Sequence, residues 1–300
     1  MIHCPPVSLD YMQMKNFLLT LLLIASPSAF VISQEPAPIR SITSSTVLGI
    51  GSSDVLDTYL TPLDYRGIHL GLLNERLQVA RFGNFNWINQ QKVWAEYSSN
   101  NDKTNNGLVA TGFIGYSWGS MRRFTVPGDL TLMAGPYASG ETGFIYNLRN
   151  GNNPASAKLS IETGASVMAV YRLRCFPKFP VTLRYQASLP LMSVFFSPHY
   201  EQSYYEIFSL GNTSGIVHLG SFHNKFDMNN YFTADLPIGA VNLRIGFMNK
   251  IHNTHVNDIK TRRISNSFLI GFSKEFLPFN RKKPAVGTQR INSALFGDNK

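Results

Sequence analysis

Apolar and polar residues alternate with a period of two through most of this 300-residue chain, and helical periodicity is almost absent. In residues 157–171, Leu159 and Ile161 stand on one face, and Ser160 and Glu162 stand on the other. Because successive side chains of a strand point to opposite faces, this pattern predicts an all-β fold. The same alternation occurs in 181–189, 241–247 and 264–274.

An alternating strand fits either a soluble sandwich or a membrane barrel, and two features favour the barrel. The polar faces are rich in Gly and Ser and include single charges at Glu162, Arg184 and Arg244, as a polar lumen would. Aromatic residues recur at strand ends, as in an interfacial girdle: Tyr116, Trp118, Tyr171, Phe272 and Phe276. We therefore predict a transmembrane antiparallel β-barrel, with an exported soluble β-sandwich that binds a ligand as the alternative.

Turn signals separate about twelve predicted strands, within a range of 10–14. Two of them, 214–223 and 230–236, are interpreted as a hairpin that is reversed by a polar turn at Lys225, Phe226 and Asp227. The full set is 41–50, 65–82, 90–99, 107–122, 129–136, 141–149, 157–171, 181–195, 214–223, 230–236, 241–252 and 261–276. An even number of strands places both termini on the periplasmic side.

The N-terminal segment has the composition of a secretory signal peptide. Lys15 precedes the short apolar run 17–25, and small residues follow it. We expect cleavage after Ser33, or alternatively after Ala29, and Met14 is an alternative natural start. The chain is then divided into a signal peptide (1–33), a β-barrel domain (34–276) and a basic, loosely ordered tail (277–300).

The net charge of +9 does not indicate a nucleic-acid partner. Lys and Arg are scattered through the alternating runs, whereas a nucleic-acid interface needs clustered charge. The densest cluster, Arg281, Lys282 and Lys283, lies in the tail. The predicted location is the cell outer membrane, where the expected partners are membrane lipid and lipopolysaccharide.

Four motifs resemble a known family: DTYLTPLDYRG (57–67), YYEIF (204–208), HLGSFHN (218–224) and YFTADLPIG (231–239). The chain is similar to the domain of unknown function 3316 (DUF3316), a family of exported proteins from Bacteroidota-type Gram-negative bacteria. The resemblance implies an outer-membrane β-barrel and supplies no activity.

Ser221 and His223 form the candidate catalytic pair, because residues two apart in a strand share a face. A serine beside a histidine that is oriented by an amide or carboxylate is the arrangement of a nucleophile and its base. Asn230 is the predicted third group, with Asp227 and Asn229 as alternatives. This arrangement resembles outer-membrane phospholipases and lipid A deacylases, although those enzymes have the order His-x-Ser, and here the order is Ser-x-His.

His252 and His255 have a spacing that suits metal ligands on a helix, but they fall near a loop without a third ligand. We therefore expect no metal and no cofactor. The predicted function is a non-enzymatic membrane barrel, either structural or a narrow channel, since about twelve strands enclose little space once Arg184, Arg244 and Met248 point inward. The alternative is a lipid acyl hydrolase that uses Ser221 and His223.

Overall fold

A computed structural model describes residues 39–126, 128–151, 153–174, 180–200, 202–276 and 291–298. The predicted signal peptide, 1–33, lies outside these ranges. One short helix and fourteen strands are present in the described ranges: β1 (Ile39–Arg40), β2 (Ile42–Asp57), β3 (Thr61–Val79), β4 (Trp87–Asn101), β5 (Leu108–Thr125), β6 (Leu130–Asn147), β7 (Ala155–Leu173), β8 (Val181–Phe196), α1 (Tyr204–Phe208), β9 (Val217–Gly220), β10 (Lys225–Ile238), β11 (Val241–Val256), β12 (Ile259–Phe276), β13 (Ile291–Ser293) and β14 (Gly297–Asp298). No described helix is long and apolar enough to cross a membrane.

Ten of these strands close into one antiparallel barrel. Chain neighbours pair from β2 to β8 and from β10 to β12, β12 pairs with β2, and β10 pairs with β8. The structure confirms the predicted all-β antiparallel barrel, and ten strands is the lower end of the predicted range. The sandwich alternative is wrong, because a single sheet closes on itself.

Two differences account for the predicted count of twelve. The predicted strands 129–136 and 141–149 are one continuous strand, β6, in which Pro136 and Gly140 pair with Ala165 and Ile161 of β7. The segment PYASG (136–140) has the composition of a turn, but its backbone is extended because every residue of it pairs with β7. The run 214–223 contributes only the four-residue β9, which is not a separate wall of the barrel.

The predicted hairpin between 214–223 and 230–236 is wrong. Both β9 and β10 are antiparallel to β8, so they run in the same direction and together occupy one strand position of the barrel, with an interruption between them. The interruption is the turn 221–224, whereas Lys225 and Asp227, predicted as the reversing turn, belong to β10. The chain does not reverse because β8 offers partners to both segments.

The outer face of the barrel is apolar and its inner face is polar. Leu159, Ile161 and Val167 of β7 are more than half exposed, whereas Ser160 and Ser166 are buried inside. The five aromatic residues of the predicted girdle also point outward and are 41–62% exposed. An apolar exterior around a polar interior is the arrangement of a transmembrane β-barrel, as predicted.

The two ends of the barrel differ in their connections. At the terminal end, where β2 begins and β12 ends, the connection between β10 and β11 is only two residues long. At the opposite, loop end lies the connection 197–216, which contains α1. The β11–β12 turn at this end has Asn257 and Asp258 both at positive φ (52° and 59°), the conformation of a type I′ hairpin turn.

The C-terminal segment 291–298 returns to the terminal end of the barrel. There β13 pairs with β1 and with β14 in a separate three-stranded sheet. Ala294 and Leu295 are buried against side chains of the barrel lumen. Residues 291–298 therefore differ from the predicted loose tail, because apolar side chains of this segment pack in the lumen. Residues 277–290 lie outside the described ranges.

Candidate functional site: the exterior turn and the barrel lumen

The exterior turn 221–224 brings the predicted catalytic pair together. The Oγ of Ser221 lies 2.6 Å from Nδ1 of His223, and both side chains are accessible. The contact forms because the turn is helical: the amide of Lys225 donates to the carbonyl of Ser221 over 2.8 Å. The side chain of Asn224 closes the turn by accepting from the Ser221 amide at 3.0 Å.

The predicted third group is not at this pair. Asn230 faces outward on β10, where it accepts from the hydroxyl of Tyr185 (2.8 Å) and donates to Asn249 (3.2 Å). Asp227 points into the lumen. Among the described residues, the imidazole of His223 has no hydrogen-bond partner other than Ser221, so the predicted trio is not assembled.

Inside the barrel, three ion pairs join strands that stand five places apart in the ten-strand ring, on opposite sides of the lumen. Glu75 of β3 contacts Arg184 of β8 at 2.6 Å, and Asp57 of β2 contacts Lys158 of β7 at 2.9 Å. The third pair joins Glu141 of β6 to Arg263 of β12. Each pair needs side chains that reach across the full diameter, so the lumen is crossed at several heights.

The pair at Glu75 belongs to a buried network in the middle of the barrel. Oε2 of Glu75 also accepts from Nη1 of Arg244 at 3.0 Å. Asp235 takes two hydrogen bonds from Arg244, each 2.6 Å long, which is the bidentate arrangement that suits guanidinium and carboxylate. Arg184 and Arg244 are 2% and 1% exposed, so the prediction that both point inward is confirmed.

A second group of charges lies nearer the loop end. Lys225 and Asp227 of β10, Glu162 of β7 and His252 of β11 all point into the lumen there. Nδ1 of His252 lies 2.7 Å from Oδ1 of its cross-strand neighbour Asp227. Lys225 contacts both carboxylates, so an ammonium group neutralises part of their charge.

Apolar clusters fill the lumen at both ends. At the terminal end, Leu295 and its neighbours pack on side chains of β3, β4, β5, β6 and β7: Leu77, Val79, Ile88, Met121, Met133, Met168 and Val170. At the loop end, a second cluster joins Tyr59 to residues of β2, β3, β5, β6 and β12, with Tyr204 of α1 packed on it. Tyr59 and Tyr204 meet edge to face with ring centroids 5.8 Å apart.

Cavities lie between these clusters. One is lined by Glu162, Asp227 and His252 together with other charged residues. Another is lined mainly by Ser, Gln and aromatic side chains. Both share Trp94, Ser139, Asn229 and Lys250, so they adjoin.

The lumen network could not be identified as a site from the sequence. The alternation predicts that Glu162, Arg184 and Arg244 point inward, but it does not give their partners, because the partners lie on distant strands. Only the inward position of Glu75 and Asp235 in alternating runs could have suggested them.

The described fold is similar to outer-membrane proteins of known structure, at low sequence identity. The outer membrane protease OmpT from Escherichia coli aligns at 10% identity with a TM-score of 0.44, covering 82% of this chain and 99% of that one. The transport unit of the autotransporter AIDA-I from Escherichia coli aligns at 10% identity and a TM-score of 0.43, covering 87% and 97%. The β domain of the Bordetella autotransporter BrkA aligns at 12% identity and a TM-score of 0.40, covering 79% and 100%.

These scores carry no assignment of activity. Among curated proteins, no sequence matches this chain. A family model does match, over residues 16–283, as the four motifs imply. The chain therefore belongs to the family described as "Protein of unknown function (DUF3316)".

Proposed function

We propose that this protein is an outer-membrane β-barrel with a structural, non-enzymatic role and a lumen closed to solutes. The observation that carries the proposal is the Glu75–Arg184 contact, which spans the full diameter of the barrel. Apolar clusters at both ends add further barriers, because an ion entering them would lose its hydration without a compensating ligand. Of the two non-enzymatic roles, a structural barrel is favoured over a narrow channel.

The outer membrane is proposed as the location because the exterior is apolar and each of the ten strands pairs with two neighbours, as backbone in contact with lipid requires. Lipid and lipopolysaccharide are the proposed partners of this exterior. Cleavage of residues 1–33 after export is part of the same proposal. Cell fractionation tests the location: the protein should be recovered with outer membranes and should migrate differently on gels before and after boiling. Recovery from the soluble periplasm would refute it.

Planar-bilayer recordings test the closed lumen. The full chain, purified in detergent, should give no conductance steps under conditions in which a wide-pore porin conducts. If steps appear, Gln186→Cys decides their origin, because Gln186 is buried in the lumen. Block of those steps by a bulky thiol reagent would show that the lumen conducts and would overturn the proposal.

A lipid acyl hydrolase is a second candidate, supported by the 2.6 Å contact between Ser221 and His223 on the exterior. It requires a group that orients His223, and the described residues provide none. The assay is release of fatty acid from phospholipid and lipid A by the full chain beside Ser221→Ala. Hydrolysis that is lost in the variant would establish the enzyme; no hydrolysis, or equal hydrolysis, excludes it.

A further inference from the structure

Glu162, Asp227 and His252 converge on one cavity from three different strands. Each residue offers one ligand atom, and these atoms all lie within 4.8 Å of one another. All three side chains line the same cavity of the lumen. We propose that this cluster binds a divalent transition-metal ion of the zinc class.

The contact between Asp227 and His252 carries the proposal. Asp227 is 6% exposed, and its Oδ1 has no hydrogen-bond partner although Nδ1 of His252 is only 2.7 Å away. The two atoms are therefore close without the geometry of a hydrogen bond. Ligand atoms that share a zinc ion at bond lengths of about 2.0–2.2 Å lie roughly 3–3.5 Å apart, so Oδ1 and Nδ1 need to separate by only about 0.5 Å to hold one cation between them.

The third ligand, Glu162, needs only a small adjustment. Closing the set from 4.8 Å to the spacing of a coordination shell requires a movement of roughly 1 Å. The carboxylate borders the cavity, and its present partners are the ammonium group of Lys225 and the hydroxyl of Ser160. Two carboxylates and one imidazole form a mixed oxygen and nitrogen set, which favours zinc, cobalt or manganese over calcium or magnesium.

Lys225 is the competitor at this site. Its ammonium group contacts Glu162 and lies 3.3 Å from Asp227, so it occupies the charge position that a cation would take. The surrounding cations Arg263 and Lys250 are bound to Glu141 and Glu96. A bound metal must therefore displace Lys225 alone, and removing that ammonium should strengthen binding.

Cobalt absorption is the test, because Co²⁺ bound to nitrogen and oxygen ligands has visible bands and zinc competes for the same ligands. Untagged full-length protein in detergent is stripped with a chelator and titrated with Co²⁺, followed by displacement with Zn²⁺. We expect one ion per chain. Binding should weaken at least about tenfold in His252→Ala and Asp227→Asn, and it should tighten in Lys225→Met.

The matched control is His255→Ala, three residues along the same strand and exposed, which should leave the titration unchanged. Each variant is checked for the gel shift on boiling, so that misfolded protein is not scored. The tighter binding of Lys225→Met is a gain that a purely structural cluster would not produce. Absence of saturable binding, equal binding in His252→Ala, or no gain in Lys225→Met would overturn the proposal.

Discussion

Oε2 of Glu75 lies 2.6 Å from Nη2 of Arg184, and this contact joins β3 to β8 across the whole width of the barrel. Both side chains are about 2% exposed, and Glu75 also holds Arg244. One carboxylate therefore contacts two guanidinium groups that have left water, and Arg184 has no other carboxylate partner among the described residues. The barrel depends on this carboxylate more than on any exposed ion pair.

Replacing Glu75 by Leu should lower the free energy of unfolding by about 3–5 kcal/mol, because it leaves buried guanidinium groups without their shared acceptor. Urea unfolding in micelles, followed by tryptophan fluorescence, measures the change. Arg66→Ala is the control, since Arg66 pairs with Asp54 but is 74% exposed. Exposed pairs contribute about 0–1 kcal/mol. Equal losses in the two variants would contradict the role assigned to Glu75.

The segment 291–298 should be anchored by Arg123, which donates to the carbonyl of Ser293 at 2.9 Å and to that of Phe85 at 3.0 Å. In Ala294→Cys, the fully buried thiol should react slowly with maleimide, and adding Arg123→Ala should speed the reaction at least about tenfold. Peptide mass spectrometry separates this site from Cys175. Lys103→Cys, in an exposed loop, supplies the fast reference rate; equally fast labelling of Ala294→Cys alone would refute the anchoring.

The loop helix should respond to alkaline pH through Tyr204. Burial raises the pKa of Tyr204 to about 12, because the phenolate would lose hydration. A group whose pKa is raised on folding stabilises the docked loop fully below its unfolded value, about 10, and this contribution is lost as pH rises through 12. The 295 nm absorbance difference between wild type and Tyr204→Phe should show a midpoint near 12. A midpoint near 10 would mean that the ring is not buried.

Glycine and alanine at position 258 of the β11–β12 turn should differ in their effect on the free energy of unfolding. Asp258 has φ 59°, a left-handed conformation that costs alanine about 1 kcal/mol, whereas glycine adopts it freely and aspartate tolerates it through local side-chain hydrogen bonds. Asp258→Ala should therefore lower the free energy of unfolding by about 1 kcal/mol, whereas Asp258→Gly should change it by less than about 0.5 kcal/mol. Urea midpoints of the two variants give the comparison, and identical midpoints would argue against the type I′ turn.

Alternation was sufficient to predict the barrel wall, because the period of two is a local property of the backbone. It placed Leu159 and Ile161 outside and Arg184 and Arg244 inside, and the structure agrees. It failed at Pro136 and Gly140, where local turn preference competes with pairing to β7. Ladder hydrogen bonds to a neighbouring strand are not visible in a local window.

The lumen contacts could not be predicted for a related reason. Which strands face each other depends on the strand number and on the stagger of the closed sheet. His252 was paired in the sequence with His255, its neighbour in the chain, but the fold pairs it with Asp227 and Glu162. The Ser221–His223 contact was predicted because it is local, although a helical turn produces it and not a strand face.

The interruption between β9 and β10 leaves one strand interface of the barrel with fewer backbone hydrogen bonds than the others. On β8, β10 is paired only from Asn229 to Asp235, whereas β2 and β12 are paired along their whole shared length. Parting the barrel between β8 and β10 breaks the fewest backbone hydrogen bonds, so opening fluctuations concentrate there. Amide protons of residues 226–228 should consequently exchange with solvent deuterium sooner than those of the other barrel strands. The closed barrel therefore has one strand interface that opens more easily than the others, and its position is set by the turn at residues 221–224.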